Sequence, residues 1–309
     1  MSARTEGRRA APRPAPALPI RCIALDVDGT ILRPNLTIHH RTVAAVAACR
    51  AQGVRVVLAT GRRLGTAFAY AREVGADRDL VAVDGGLVVE GEDRILRSRP
   101  MAGATAAQIL AWAEEEGVPV AVMTRRHVYG SRRRAPWHVL REARRRGTLR
   151  SVAGARHMLW ELSALRPLAA LDPFADPVYK VTPVGPRDRT AALRARLEAA
   201  DGLDLRFTAP GAGYEIVARG VSKGEGLAWL LHRRGVDPAH TMAVGDGWND
   251  VEMFDRVGHP VAMANAPPGV RERARWVADH VEGAGVAAVL ERVARGEWPP
   301  ADELPRPAP

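Results

Sequence analysis

Asp26 and Asp28 stand two positions apart at the end of the apolar run 21–28 (RCIALDVD), and Gly29-Thr30 follows them. On extended backbone, residues two apart project to the same side, so both carboxylates face one pocket. Carboxylates held that close repel, and they persist together only with a cation or a shared proton between them. Three further segments carry complementary groups. Thr60-Gly61-Arg62 supplies a hydroxyl and a flexible turn suited to an oxyanion, and Gly245-Asp246-Gly247-Trp248-Asn249-Asp250 supplies two more acids. Lys223 opens a helical stretch, where free N–H groups and the helix dipole favour anions. These are the groups needed to hold a hard divalent cation against a phosphoryl group. Magnesium takes oxygen ligands at ~2.0–2.1 Å, usually one or two carboxylates with several waters. Phosphoryl transfer asks mainly for positioning and charge neutralisation, and a carboxylate nucleophile splits hydrolysis into formation and breakdown of an aspartyl phosphate.

Residues so far apart meet only if each segment ends a strand of the same open sheet, where ligands gather at the carboxyl ends. Residues 21–28, 54–60 and 79–86 read as buried strands, and helical stretches at 42–52 and 65–74 close at Gly53 and Gly75. This alternation specifies a parallel sheet built by right-handed crossovers. From about residue 88 the rhythm changes to short strands (87–89, 95–97, 119–123, 178–185, 203–208, 213–218) mixed with helices at 105–116, 136–146 and 187–200. The first rhythm then returns with a helix at 223–234, strands at 241–246 and 260–265 separated by a helix at 250–257, and a last helix at 283–295. The expected fold class is therefore α/β, a Rossmann-like core of residues 21–86 and 213–295 interrupted by an α+β insertion at 87–212. Residues 1–20 and 296–309 are expected to be disordered tails.

At 309 residues, with 47% hydrophobic and 26% charged side chains, the composition is that of a globular protein, and no apolar run approaches the ~20 residues of a membrane helix. A cytoplasmic location is expected, with Cys22 and Cys49 as buried thiols rather than a disulfide. The net charge of +10 raises nucleic-acid binding as an alternative, yet the basic residues are almost all Arg, spread through tails and helices alike. Lys180 and Lys223 are the exceptions, and in such a chain a Lys marks a place for a compact three-donor charge; Lys223 is the one this singles out.

Other groups take structural readings. Arg62 reads as a partner for a core acid before it reads as a substrate contact, and Glu225 and Glu252 read as residues of solvated helix faces. The Arg cluster at 125–150, with Arg132, Arg133, Arg134, Arg144, Arg145 and Arg146, reads as a solvated helix face before it reads as a site for a second anion on the substrate. His39 and His40 lack partners at metal-ligand spacing, and Trp112, Trp137, Trp160 and Trp229 read as packing anchors. Gly211-Ala212-Gly213 is too short for a dinucleotide fingerprint.

DVDGT, the Thr60 of ATGR, the Lys223 of GVSKGEGL and the acids of GDGWND resemble, in order and spacing, the four motifs of the haloacid dehalogenase-like (HAD) superfamily. VAMANAPPGVRERARWVADHVEGAGVAAVL is similar to the C-terminal signature of its Cof-type, class IIB branch. The resemblance implies a Mg2+-dependent phosphatase acting on a small phosphorylated metabolite; a monomer or homodimer is expected. It implies Asp26 as nucleophile and metal ligand, and Asp28 as general acid/base and a ligand through its backbone carbonyl. Asp246 becomes the third protein ligand, Thr60, Gly61, Lys223 and Asn249 the phosphate-binding groups, and Asp250 the residue that helps hold the phosphate and orders the ion's waters. The 87–212 insertion becomes a mobile cap that selects the leaving group. Family members often have Asn-Gly where this chain has Asp84-Gly85, at the expected hinge into the cap, which adds negative charge near an anion site. The alternatives are a phosphomutase on the same core, whose known forms usually carry a helical cap, and an Arg-rich nucleic-acid-binding protein.

Overall fold

A strand covered on both faces must be apolar at nearly every position. CIAL at 22–25 and TMAVG at 241–245 are buried throughout, and RVVLA at 55–59 after its first residue. The computed structural model describes residues 20–130, 164–185, 187–207 and 213–299. In chain order the strands are β1 (Cys22–Leu25), β2 (Arg55–Ala59), β3 (Asp79–Ala82), β4 (Leu87–Glu90), β5 (Arg94–Ser98), β6 (Val120–Thr124) and β7 (Val128–Gly130). They continue with β8 (Leu165–Pro167), β9 (Val178–Pro183), β10 (Leu203–Phe207), β11 (Tyr214–Ala218), β12 (Thr241–Gly245), β13 (His259–Met263) and β14 (Trp276–Ala278).

One sheet runs β14-β13-β12-β1-β2-β3-β4-β5 and the other β10-β11-β9-β6-β7-β8. In the first, β14 through β3 are parallel, and β1 lies between β2 and β12, so the chain order reverses at β1. That reversal opens a crevice at its carboxyl end. Alternation along β1 sends Ile23 and Leu25 to one face, where Val46, Cys49, Val286 and Leu290 of the His40–Ala51 and Gly285–Ala294 helices cover them. Cys22 and Ala24 face the other side, with Leu227, Leu230, Met253 and Phe254 from the Lys223–Arg234 and Val251–Phe254 helices. The second sheet buries Val122, Val181 and Ile216 under Ile109 and Leu193 of the Gly103–Glu115 and Arg187–Glu198 helices. Met123, Lys180, Arg206 and Glu215 of that sheet line a cavity shared with the tips of the first.

The α/β core and the α+β insertion are both present, but the sheets divide at other places than residues 87 and 212. β4 pairs antiparallel with β3, and β5 with β4, so residues 87–98 extend the first sheet. β11 pairs with β9 and β10, which puts it in the second sheet. The chain therefore crosses between sheets after β5 and after β11. A change of strand rhythm marks the hairpin at β3–β5, which adds antiparallel strands to a parallel sheet edge, and not the start of the insertion. Asp84 consequently lies in a turn within the first sheet rather than at a hinge. The third strand ends at Ala82, short of the expected 86, because Val83 and Asp84 both take φ of 50°. The expected C-terminal tail begins later than 296: Trp298 is buried, its ring 5.2 Å from Trp276, and its Nε1 donates to His259 Nδ1 at 3.2 Å.

Cys22 and Cys49 are buried free thiols, and Trp112 and Trp229 pack against the cores as anchors. Trp137, Trp160, Gly211, Ala212, the 136–146 helix and the Arg residues from 132 to 150 lie outside the described residues.

Candidate active site

Asp26 leaves the end of β1 held by its own N–H, which donates to Val244 O at 2.9 Å, and its side chain is buried. Asp246 follows β12, the neighbour of β1, so adjacent strand tips carry the two acids. Gly29 makes their approach possible: its φ is 75°, and a Cβ there would fall 2.1 Å from Asp246 Oδ2. Only glycine meets both demands. Carboxylate oxygens of Asp26, Asp246 and Asp250 lie within 4.8 Å of one another.

Lys223 is brought to this group by the start of its helix. Ser222 caps that helix by accepting from Glu225 N at 3.1 Å, and Gly85 packs so closely on Ser222 O that a Cβ would fall 1.9 Å away. The Lys223 ammonium donates to Asp26 Oδ1 at 2.6 Å and to Asp250 Oδ1 at 2.7 Å, fully enclosed. Asp250 Oδ2 accepts from the backbone N–H groups of Asp246 at 3.0 Å and Gly247 at 2.9 Å, which fixes the acidic loop.

Burial and then the repulsion of Asp250 push the Asp26 carboxyl well above its ordinary range, with Lys223 pulling the other way. The same two causes raise Asp246 to about 7. Burial works against the Lys223 charge, but Asp250 and Asp26 outweigh it and raise the ammonium above its usual value. Crowded acids with more negative charge than one lysine can offset form a donor set that fits a hard cation.

Asp28 lines the same cavity as Asp26, as two carboxylates facing one pocket should, but its side chain lies outside the inner group of three acids. It follows the strand in a turn, and its carboxylate is gripped by Arg62, Nε to Oδ2 at 2.7 Å and Nη2 to Oδ1 at 2.5 Å. Arg62 thus pairs with an acid of the candidate site, not of the core. Thr60 is buried at the end of β2, and its Oγ1 accepts from Arg62 N at 3.2 Å. Asn249 is exposed, and its amide donates to Asp84 Oδ1 at 3.0 Å. Asp26, Asp28, Gly61, Lys223, Asp246 and Asn249 line a single cavity of about 700 Å3.

Several contributors escaped the sequence. Asn265, beyond β13, donates through Nδ2 to Asp246 Oδ2 at 3.0 Å and to Gly29 O at 2.8 Å, tying the two tips together. Lys180 enters the cavity from the second sheet, and its rarity in an Arg-rich chain was the available signal. Glu225 and Glu252 are not simply solvated, since they pair with Arg256 and Arg206. His39 caps the His40–Ala51 helix through Nδ1, away from the acids.

The sequence matches the family of haloacid dehalogenase-like hydrolases over residues 23–290. The chain belongs to that family. Among its relatives, a phosphoglycolate phosphatase of Methanothermobacter thermautotrophicus is 27% identical over 275 residues, spanning 88% of this chain and 98% of its own length. A haloacid dehalogenase-like hydrolase from B. subtilis shares the fold with a TM-score of 0.74 at 23% identity, over 88% of this chain and 99% of that one. A HAD subclass IIB sugar phosphatase superposes with a TM-score of 0.68 at 16% identity, over 88% and 98% of the two chains. The likeness extends across both sheets, so the HAD fold here includes the inserted one.

Proposed function

We propose that this HAD-family protein is a magnesium-dependent phosphatase that hydrolyses small, water-soluble phosphorylated metabolites in the cytoplasm. The observation that carries the reading is the buried Asp26 carboxylate at the switch point of the first sheet, bonded to Lys223 and within reach of Asp246 and Asp250. Asp26 attacks phosphorus in line with the leaving oxygen, forming an acyl phosphate as the ester P–O bond breaks. Asp28, released from Arg62 as substrate enters and then protonated, gives its proton to the leaving oxygen and takes one from the water that attacks the acyl phosphate, releasing inorganic phosphate and the Asp26 carboxylate. Thr60 Oγ1, the Gly61 turn, Lys223 and Asn249 receive the phosphoryl oxygens. Lys223 spends two of its three N–H donors on Asp26 and Asp250, which leaves one for substrate. Magnesium held by Asp26, Asp246 and the Asp28 carbonyl, with Asp250 ordering its waters, would offset the charge of the transferring group.

The cavity suits a metabolite-sized substrate. The inserted unit, built on a six-stranded sheet rather than helices alone, is read as the cap that meets the leaving group and favours a hydrolase over a mutase. A phosphate-release screen over sugar phosphates, phosphoglycolate, nucleotides and phosphorylated cofactors, with and without Mg2+, tests the proposal. Metal-dependent release from at least one such ester is expected, and silence across the panel rejects the assignment.

A further inference from the structure

The chain's two lysines, 180 and 223, line one cavity, and both are buried. Lys223 belongs to the proposed phosphoryl site. Lys180 reaches the cavity from the middle of the second sheet, opposite Met123 on β6 and Val217 on β11. Its Nζ donates to Asp84 Oδ2 at 2.8 Å and Gly61 O at 3.2 Å on the first sheet, and pairs with Glu215 Oε1 at 2.9 Å on its own. Those contacts use all three ammonium protons.

Asp84 is enclosed and contacts both the Thr60–Gly61 turn and Asn249. Its N–H donates to Thr60 O at 3.1 Å, its Oδ1 accepts from Asn249, and a Cβ on Gly61 would sit 2.9 Å from its carboxylate oxygens. Burial alone would raise this acid, but Lys180 and then Lys223 hold it down to about 2, so it carries full negative charge. A buried carboxylate against an anion site opposes phosphate binding unless a cation cancels it.

We propose that Lys180 is a positioning residue: it cancels Asp84 and, through Asp84 and the Gly61 carbonyl, holds the Thr60–Gly61 turn and Asn249 in register beneath the second sheet. The inference rests on the phosphatase reading and adds to it a requirement that residues 84 and 180 act as a pair. Without Lys180, the enclosed Asp84 carboxylate faces the incoming phosphate uncompensated, while Glu215, one-fifth exposed on the second sheet, keeps contact with water. Lys180→Met is then expected to raise KM for p-nitrophenyl phosphate about tenfold, with a parallel loss of inhibition by inorganic phosphate and a smaller change in kcat. In the Asp84→Asn background the same substitution meets no buried charge at 84, and its effect on KM shrinks to about twofold or less.

The experiment is the full cycle of wild type, Asp84→Asn, Lys180→Met and the double variant. Each is assayed for KM, kcat and phosphate inhibition with Mg2+, and for thermal unfolding. Equal effects of Lys180→Met in both backgrounds overturn the pairing, as does a wild-type KM in Lys180→Met itself. Should that single variant fail to fold, a folded double variant with near-wild-type KM upholds the proposal, and one with the full KM defect overturns it. A wild-type protein without turnover rejects the phosphatase reading instead, and the pairing at an anion site with it.

Discussion

Lys223 Nζ lies 2.6 Å from Asp26 Oδ1, an enclosed contact between residues 197 positions apart that joins a helix start to a strand end. The contact makes different demands of its two members. Asp26→Asn keeps an oxygen to accept from Lys223 but removes the proposed nucleophile, so turnover should fall by about 10^3-fold or more with the thermal midpoint little changed. Phosphate release, measured after separation from contaminating phosphatases, decides this; ordinary turnover in the variant refutes Asp26 as nucleophile.

Lys223→Met is expected to damage fold and activity together. It strands Asp26 and Asp250 as buried acids with no cation, a change that costs about 3–5 kcal/mol when one partner of a buried pair is removed. Denaturant unfolding of the metal-free protein reads the loss directly. A variant as stable as wild type shows that the pair contributes nothing to the fold.

Asn265→Ala removes the bridge between Gly29 O and Asp246 Oδ2 without touching an acid. Partners that orient metal-binding carboxylates typically contribute 10–100-fold to metal affinity. The Mg2+ concentration for half-maximal activity should therefore rise by roughly that factor, while kcat at saturating metal recovers most of its wild-type value. An unchanged magnesium titration contradicts the role given to Asp246.

Asp26 and Asp246 were legible in the sequence because each follows a short, wholly apolar run, and a parallel sheet puts the ends of such runs together. Asp84 alone reads as an acid near an anion site, but its pairing with Lys180 does not, since the two are 96 residues apart on different sheets and Lys180 reads locally only as a polar interruption of VYKVTP. The scarcity of lysine pointed to both, yet helix position drew attention to Lys223 alone. β4 and β5 join the first sheet against expectation because apolar alternation specifies a strand and not the sheet it joins. The partners of Asp28 and Glu252 depend on side-chain reach across the crevice, which no local pattern encodes.

His259 gives a pH dependence that is separate from catalysis. Burial, followed by the charge of Arg275, lowers its pKa to about 4, and its Nδ1 accepts from Trp298 Nε1, which requires the neutral ring. The folded value lies below the unfolded value of about 6.5, so between them the unfolded chain binds the proton and the folded protein does not. Its contribution to stability is thus complete above about pH 6.5 and disappears as pH falls toward 4. Replacing the ring by a side chain that accepts without titrating, His259→Gln, should flatten this part of the curve. The difference in thermal midpoint between pH 7 and pH 5 should shrink by roughly 3–6 °C relative to wild type. Parallel melting curves for the two proteins across that window remove His259, and with it the docking of Trp298, from the acid-sensitive elements of the fold.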